Sequence, residues 1–141
     1  MKKYTLAFIF DNAMDRVLLV HKLSPEWQAG KLNGVGGKIE EGENSLACIV
    51  REVREETGLV TRGDEWIYLG EMGSGSWQMH VFTFVYKGKP SDARSADKED
   101  VEWFDMKTLP LNTISNLTWL IPIAIDRIKN KEIGDFSVRY R

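Results

Sequence analysis

The chain has one cysteine, Cys48, and two histidines among its 141 residues. A single cysteine excludes an intramolecular disulfide and cannot alone supply a zinc cluster. His21 and His80 have no partner at metal-ligand spacing and read as strand residues without a role. No window approaches 18 consecutive apolar residues, so no transmembrane helix and no membrane partner are expected. A basic excess is also missing. Lysines and arginines number 19 against 21 acids, a net charge of −2, which gives no electrostatic case for binding duplex nucleic acid. There is no internal repeat, low-complexity linker or break in composition, so one domain over residues 1–141 is expected. Met1 to Phe10 starts with two lysines and an apolar run, as a signal peptide would. Asp11 and Asp15 interrupt it early and no small-x-small cleavage site follows, so it reads as a buried first strand. With the lone cysteine, this points to a cytoplasmic location.

What is present suits a folded domain. Hydrophobic residues make up 43% and aromatics 11%, enough to close a core at this length. Residues 4–10 and 16–21 read as two strands joined by a short turn. Residues 24–38 are loop-like, with Ser24-Pro25 and repeated glycines. Residues 44–57 have the apolar spacing of a helix, with Asn44 or Ser45 as N-cap and Gly58 as its stop. Residues 65–71, 77–87 and 101–106 read as strands, 88–100 as a polar surface loop, and 115–131 as a second helix. Pro122 is tolerated there if that helix starts near Thr118. Residues 136–140 add a last edge strand. Many strands with two helices indicate the α+β class, or a mixed sheet between helices.

The chemistry concentrates in residues 37–59, GKIEEGENSLACIVREVREETGL. On the helix, Glu55 and Glu56 fall about −60° and +40° from Glu52 at 100° per residue. Three carboxylates so close repel one another and cost helix stability. Arg51 sits four residues before Glu55 but cannot neutralise all three. A divalent cation would, and hard carboxylate oxygens suit Mg²⁺ or Mn²⁺. The preceding glycines allow close approach of backbone to phosphate or metal. Gly34-Val35-Gly36-Gly37 fits neither the dinucleotide fingerprint nor the P-loop, because Ile39 stands where each pattern needs another residue. The segment holds six acids and three bases, a net of −3, against +1 for the rest of the chain.

Gly37, Glu43, Arg51, Glu52, Val53, Glu55, Glu56, Gly58 and Leu59 together resemble the Nudix box, the signature of the Nudix hydrolases, at all nine specified positions. The resemblance implies a mixed β-sheet sandwiched between helices, an α/β/α sandwich with the box as loop–helix–loop. It implies cleavage of a nucleoside diphosphate linked to another moiety, with Mg²⁺ or Mn²⁺ as cofactor. Glu52, Glu55 and Glu56 would bind the metal, and Glu52 would also act as general base. The Gly36 carbonyl is a further ligand by the same resemblance. Arg51 would orient the glutamates, Glu43 would support the loop, and Lys38 would meet substrate phosphate. Members often add a carboxylate from a later loop; Asp97, Glu99 and Asp100 lie at a suitable distance, with Glu99 favoured. A monomer is expected, a homodimer being the alternative.

Leu32-Asn33-Gly34-Val35-Gly36-Gly37-Lys38 resembles the segment before the box in MutT-like oxidised-purine nucleoside triphosphate diphosphatases. There Asn33 would contact the base; otherwise it caps a loop. Trp27 is either a stacking platform for the base or a packing residue. Asn116 reads the base or caps the second helix. Leu32 in place of a tryptophan, and Ser115-Asn116 in place of paired aspartates, depart from the mammalian type. The leading expectation is hydrolysis of oxidised purine nucleotides such as 8-oxo-dGTP to a monophosphate and pyrophosphate. The alternatives are ordinary NTPs, ADP-ribose, a dinucleoside polyphosphate or an RNA cap, and, in another class, a non-catalytic nucleotide-binding module.

Overall fold

The structure is a computed structural model that describes residues 1–141. Its centre is β1 (Lys2–Asp11), in which every residue from Thr5 to Asp11 is buried. Successive side chains of a strand point to opposite faces, and both faces of β1 are covered. Leu6, Phe8 and Phe10 enter one core with Leu117, Leu120 and Ile121 of α2 (Leu117–Lys129). Ala7 and Ile9 enter a second core with Ile49 and Val53 of α1 (Ser45–Thr57). The helices therefore lie on opposite faces of one sheet, the expected α/β/α sandwich.

The remaining strands are β2 (Arg16–His21), β3 (Leu32–Asn33), β4 (Val35–Lys38), β5 (Ile67–Gly73), β6 (Trp77–Tyr86), β7 (Val101–Asp105) and β8 (Phe136–Arg139). The sheet is mixed, in the order β3-β2-β1-β6-β5-β8, with β4 on β1 and β7 on β2. β1 runs parallel to β6 and antiparallel to β2 and β4. Along its second edge β1 pairs first with β4 (Tyr4 to Ala7) and then with β2 (Ile9 and Phe10). The sheet forks there, and the fork carries the site.

The fork corrects the loop reading of residues 24–38 over 32–38, where β3 and β4 lie; residues 24–31 are a loop with one short 3-10 turn, as expected. Glycines gave the loop signal, but at Gly34 and Gly36 they serve close strand pairing. A Cβ at Gly34 would stand 2.6 Å from the Ala7 carbonyl oxygen, and one at Gly36 would stand 2.0 Å from that of Thr5. No side chain fits either place, so β4 lies flat against β1 only because these residues lack one.

α1 begins where Asn44 accepts the Ala47 N–H at 2.8 Å, and it ends at Gly58 in the left-handed region, φ 76°. The second helix is shorter than the expected 115–131. It starts at Leu117, one residue from the Thr118 start expected to accommodate Pro122; Pro122 still lies inside it, and the Thr118 carbonyl loses its helical donor. Cys48 is a small buried residue, as expected, but its thiol meets the Thr5 hydroxyl at 3.2 Å rather than only hydrocarbon. Burial pushes that thiol up to about 11, so Cys48 is no nucleophile at neutral pH.

Candidate active site

β4 ends at Lys38, and a turn closed by Glu43 leads into α1; the Glu40 N–H donates to the Glu43 carboxylate at 3.0 Å. Arg51 is the hub of the helix face. It meets Glu43 twice, Nε to Oε2 at 2.7 Å and Nη2 to Oε1 at 2.9 Å. Its Nη1 donates to Glu52 at 2.9 Å and to Glu55 at 3.2 Å, and its Nη2 to the Lys38 carbonyl at 3.1 Å. One guanidinium thus ties the glycine strand, the turn and two glutamates together. Its hydrogen bonds hold the Glu43 carboxyl down at about 2. Glu43 is thereby a loop-supporting residue, as the box position implied.

Glu52 and Glu56 pack against the glycine strand. The Glu52 carboxylate fills the space beside Gly37, where a Cβ would stand 2.5 Å from it. Glu56 accepts the Gly36 N–H at 3.3 Å. Burial raises both carboxyls above their ordinary range; Arg51 opposes the shift at Glu52, whereas the Glu52 charge adds to it at Glu56, which reaches about 8. Glu55 is more exposed, its side chain 52% accessible.

Lys22, which the sequence reading passed over, brings a second positive charge to the site besides Arg51. Its ammonium pairs with Glu99 at 2.9 Å and draws the Glu56 carboxyl back down. Lys22 and Glu99 are 77 residues apart, and no spacing rule could have joined them. Glu99 comes close enough to Glu56 to disfavour its charge. Both Glu99 oxygens are engaged by donors, one by Lys22 and the other by the Leu23 and Ser24 N–H groups. Asp100 offers only its backbone carbonyl, to His21. His21 pairs with Glu102 and His80 with Tyr68.

The donor set is chemically suited to a hard divalent cation: buried carboxylates in repulsion, short of positive charge, beside a bare glycine backbone. No group of three or more acidic, histidine or cysteine side chains converges into a finished cage, because Arg51 holds Glu52 and Glu55. One pH dependence follows for the metal-free chain. In the unfolded chain Glu56 releases its proton near 4.5, whereas the folded chain keeps it to about 8. Between those values the unfolded state binds fewer protons, so stability falls as pH rises from about 4.5 to about 8. Glu52 acts in the same direction. Urea midpoints measured in EDTA across this window should show the decline, and Glu56→Gln should flatten it.

The opposite sheet face carries a cavity of about 640 Å³, lined by Tyr4, Trp27, Gln28, Asn33, Met79 and Asn116 among others. It gathers three of the four residues expected to touch substrate. Trp27 is 63% exposed at its edge, which removes the packing reading. The Asn33 amide accepts the Gly34 N–H at 2.8 Å and donates to Gln28 Oε1 at 3.0 Å, so it braces the loop and also lines the cavity. Asn116 stands at the N-cap position of α2, but its side chain makes no capping bond; its Oδ1 is buried without a hydrogen-bond partner. Lys38, the fourth, is exposed opposite Tyr4 in the β1–β4 register, outside the lining. Asn33 of the cavity lining and Gly37 beside Glu52 are four residues apart in sequence, on β3 and β4.

A profile of the NUDIX domain matches residues 2–120. A relative named NAD-capped RNA hydrolase NudC, from Pseudomonas entomophila, is 33% identical over 101 residues. The match spans 68% of this chain but only 34% of the relative. A MutT/nudix family protein from Enterococcus faecalis superposes with a TM-score of 0.74 at 16% identity, over 91% of this chain and 62% of that one. The NUDIX domain of Shewanella oneidensis NrtR, solved with ADP ribose, gives 0.73 at 20% identity, over 89% and 87%. The profile covers most of the chain, the fold agrees, and the box stands on the helix and glycine strand where its residues meet: the chain belongs to the Nudix hydrolase family.

Proposed function

We propose that residues 1–141 form one Nudix domain that hydrolyses a phosphoanhydride bond in a nucleoside diphosphate linked to a second moiety. The observation that carries this reading is the buried pair Glu52 and Glu56 against Gly36 and Gly37; a cavity of nucleoside size on the other face of the sheet supports it. Glu52, Glu55, Glu56 and the Gly36 carbonyl are the groups that would hold Mg²⁺ or Mn²⁺. When bound, the cation neutralises phosphate oxygens and makes water a better nucleophile. Glu52, raised by burial, takes the proton from the attacking water. Arg51 holds Glu52 and Glu55 in place, and Lys38 meets phosphate at the mouth of the site. Trp27 stacks on the base, and Asn33 and Asn116 bind its edge. All three helix glutamates are retained, which argues against a non-catalytic module.

The name of the NudC relatives supports a pyrophosphate-linked nucleotide, such as an NAD cap or an ADP-ribose-type compound, ahead of an oxidised purine triphosphate. This chain spans about a third of that relative's length, so the substrate is read for the domain alone. The second reading, 8-oxo-dGTP, is favoured by Asn33 and Asn116, two amides that line the cavity. A cytoplasmic, monomeric enzyme completes the proposal, a homodimer being the alternative. Chromatography and mass spectrometry of products from NAD, ADP-ribose, NAD-capped RNA, dGTP and 8-oxo-dGTP test it, with Mg²⁺, Mn²⁺ or EDTA. A nucleoside monophosphate product that needs the cation is expected. If no compound on the panel is cleaved with either metal, the reading fails.

A further inference from the structure

The loop that carries Trp27 has few attachments to the body of the protein. It leaves β2 at Lys22 and returns at Lys31, and its neck is closed by Lys22 N–H to Lys31 O and Gly30 N–H to Lys22 O, both at 2.9 Å. Inside it, Gln28 and Ala29 donate to the Pro25 carbonyl and make residues 25–29 one compact turn. Three side chains reach it from outside. Asn33 holds Gln28, Asn112 holds the Gly30 carbonyl, and Glu99 holds the Leu23 and Ser24 side. Without Glu99, no hydrogen bond from outside the loop holds the stretch between its neck and the turn.

Glu99 is itself fixed from the catalytic helix. The Arg94 N–H donates to the Thr57 carbonyl at 2.9 Å and the Ala96 N–H to that of Glu56 at 3.1 Å. The segment before Glu99 is therefore attached to the last turn of α1. From there the Glu99 carboxylate reaches the Leu23 N–H at 2.6 Å, the Ser24 N–H at 3.4 Å and Lys22 Nζ at 2.9 Å. A carboxylate bound to backbone donors is a strong anchor, because such bonds are charge-assisted. We infer that Glu99 is a positioning residue for nucleotide binding: it locks the Lys22–Ser24 segment to the α1 end of the site and so holds Trp27 and Gln28 at the cavity. This rests on the proposed assignment of that cavity to the nucleoside, and it gives Glu99 a task that needs no metal.

The test is binding of AMP and GMP by calorimetry in EDTA, where a residue acting only as a metal ligand has no effect. Glu99→Ala is expected to weaken monophosphate binding roughly tenfold, the order of one charge-assisted hydrogen bond. Glu99→Gln keeps an oxygen for the Leu23 N–H and is expected to restore most of that loss. Unchanged metal-free affinity in Glu99→Ala overturns the inference, as does equal loss in both variants. The wild-type chain supplies a second measurement that needs no variant. Its Leu23 amide should exchange slowly with solvent in EDTA, and exchange at the rate of an open loop overturns the inference. Failure of the hydrolysis panel with these results intact would remove the proposed reaction and leave the anchor. Absence of binding by either monophosphate overturns the anchor's role.

Discussion

Glu52→Gln is expected to lower kcat by about 10²- to 10⁴-fold, the usual contribution of a positioned general base, with little change in fold. The substitution keeps an oxygen for Arg51 Nη1, now 2.9 Å from Oε1, and the volume beside Gly37. It removes the negative charge and the basic lone pair. The other box glutamates are placed differently: Glu56 faces the Gly36 N–H, and Glu55 stands half in solvent. Steady-state rates on whichever panel compound is cleaved, with the thermal midpoint as control, decide the matter. Turnover within about threefold of wild type would leave Glu52 without the role of base.

Arg51→Ala is expected to cost both activity and stability. The Glu43 and Glu52 side chains are only 14% exposed, and Arg51 itself 24%. Removing the cation leaves two mostly buried carboxylates uncompensated, which costs about 3 kcal/mol in comparable settings. It also frees the Lys38 carbonyl and the turn at Glu43, so Glu52 loses its orientation and kcat falls with it. Arg51→Lys retains the charge but not the two-pronged contact with Glu43, and should lie between the two. Urea denaturation at pH 7 reads the stability. A loss below about 1 kcal/mol would mean that the ion pairs are surface-like and contribute little.

The two helices, β1 and β2, and the box were legible because each rests on local periodicity or spacing. Asn44 and Gly58 bound α1 as their side-chain chemistry dictates. The glycine strand was not legible. Glycine marks a loop when it supplies an unusual φ, and marks close packing when a neighbour leaves no room; only the nearby Thr5 and Ala7 carbonyls distinguish the two. Trp27 and Asn116 were each open between two readings, and the surroundings removed one of each: core packing at Trp27, which is exposed, and a side-chain cap at Asn116, which makes no such bond. Lys22 and Gln28 were missed altogether, since neither belongs to a motif and both matter through partners distant in space or through a side-chain amide.

By itself the sequence determined the family, the helix that bears the glutamates, and the excess of negative charge that calls for a cation. Those properties reside in residue types at fixed local spacings, which a helix converts directly into a face. The tertiary structure decided how far that charge is desolvated and what it stands against. A fork in the sheet presses Gly36 and Gly37 onto Glu56 and Glu52, and a loop from the far side of the fork brings Lys22 to Glu99. Proton affinity depends on burial and on charges a few ångströms away, and these distances come from chain crossings rather than from neighbours in sequence.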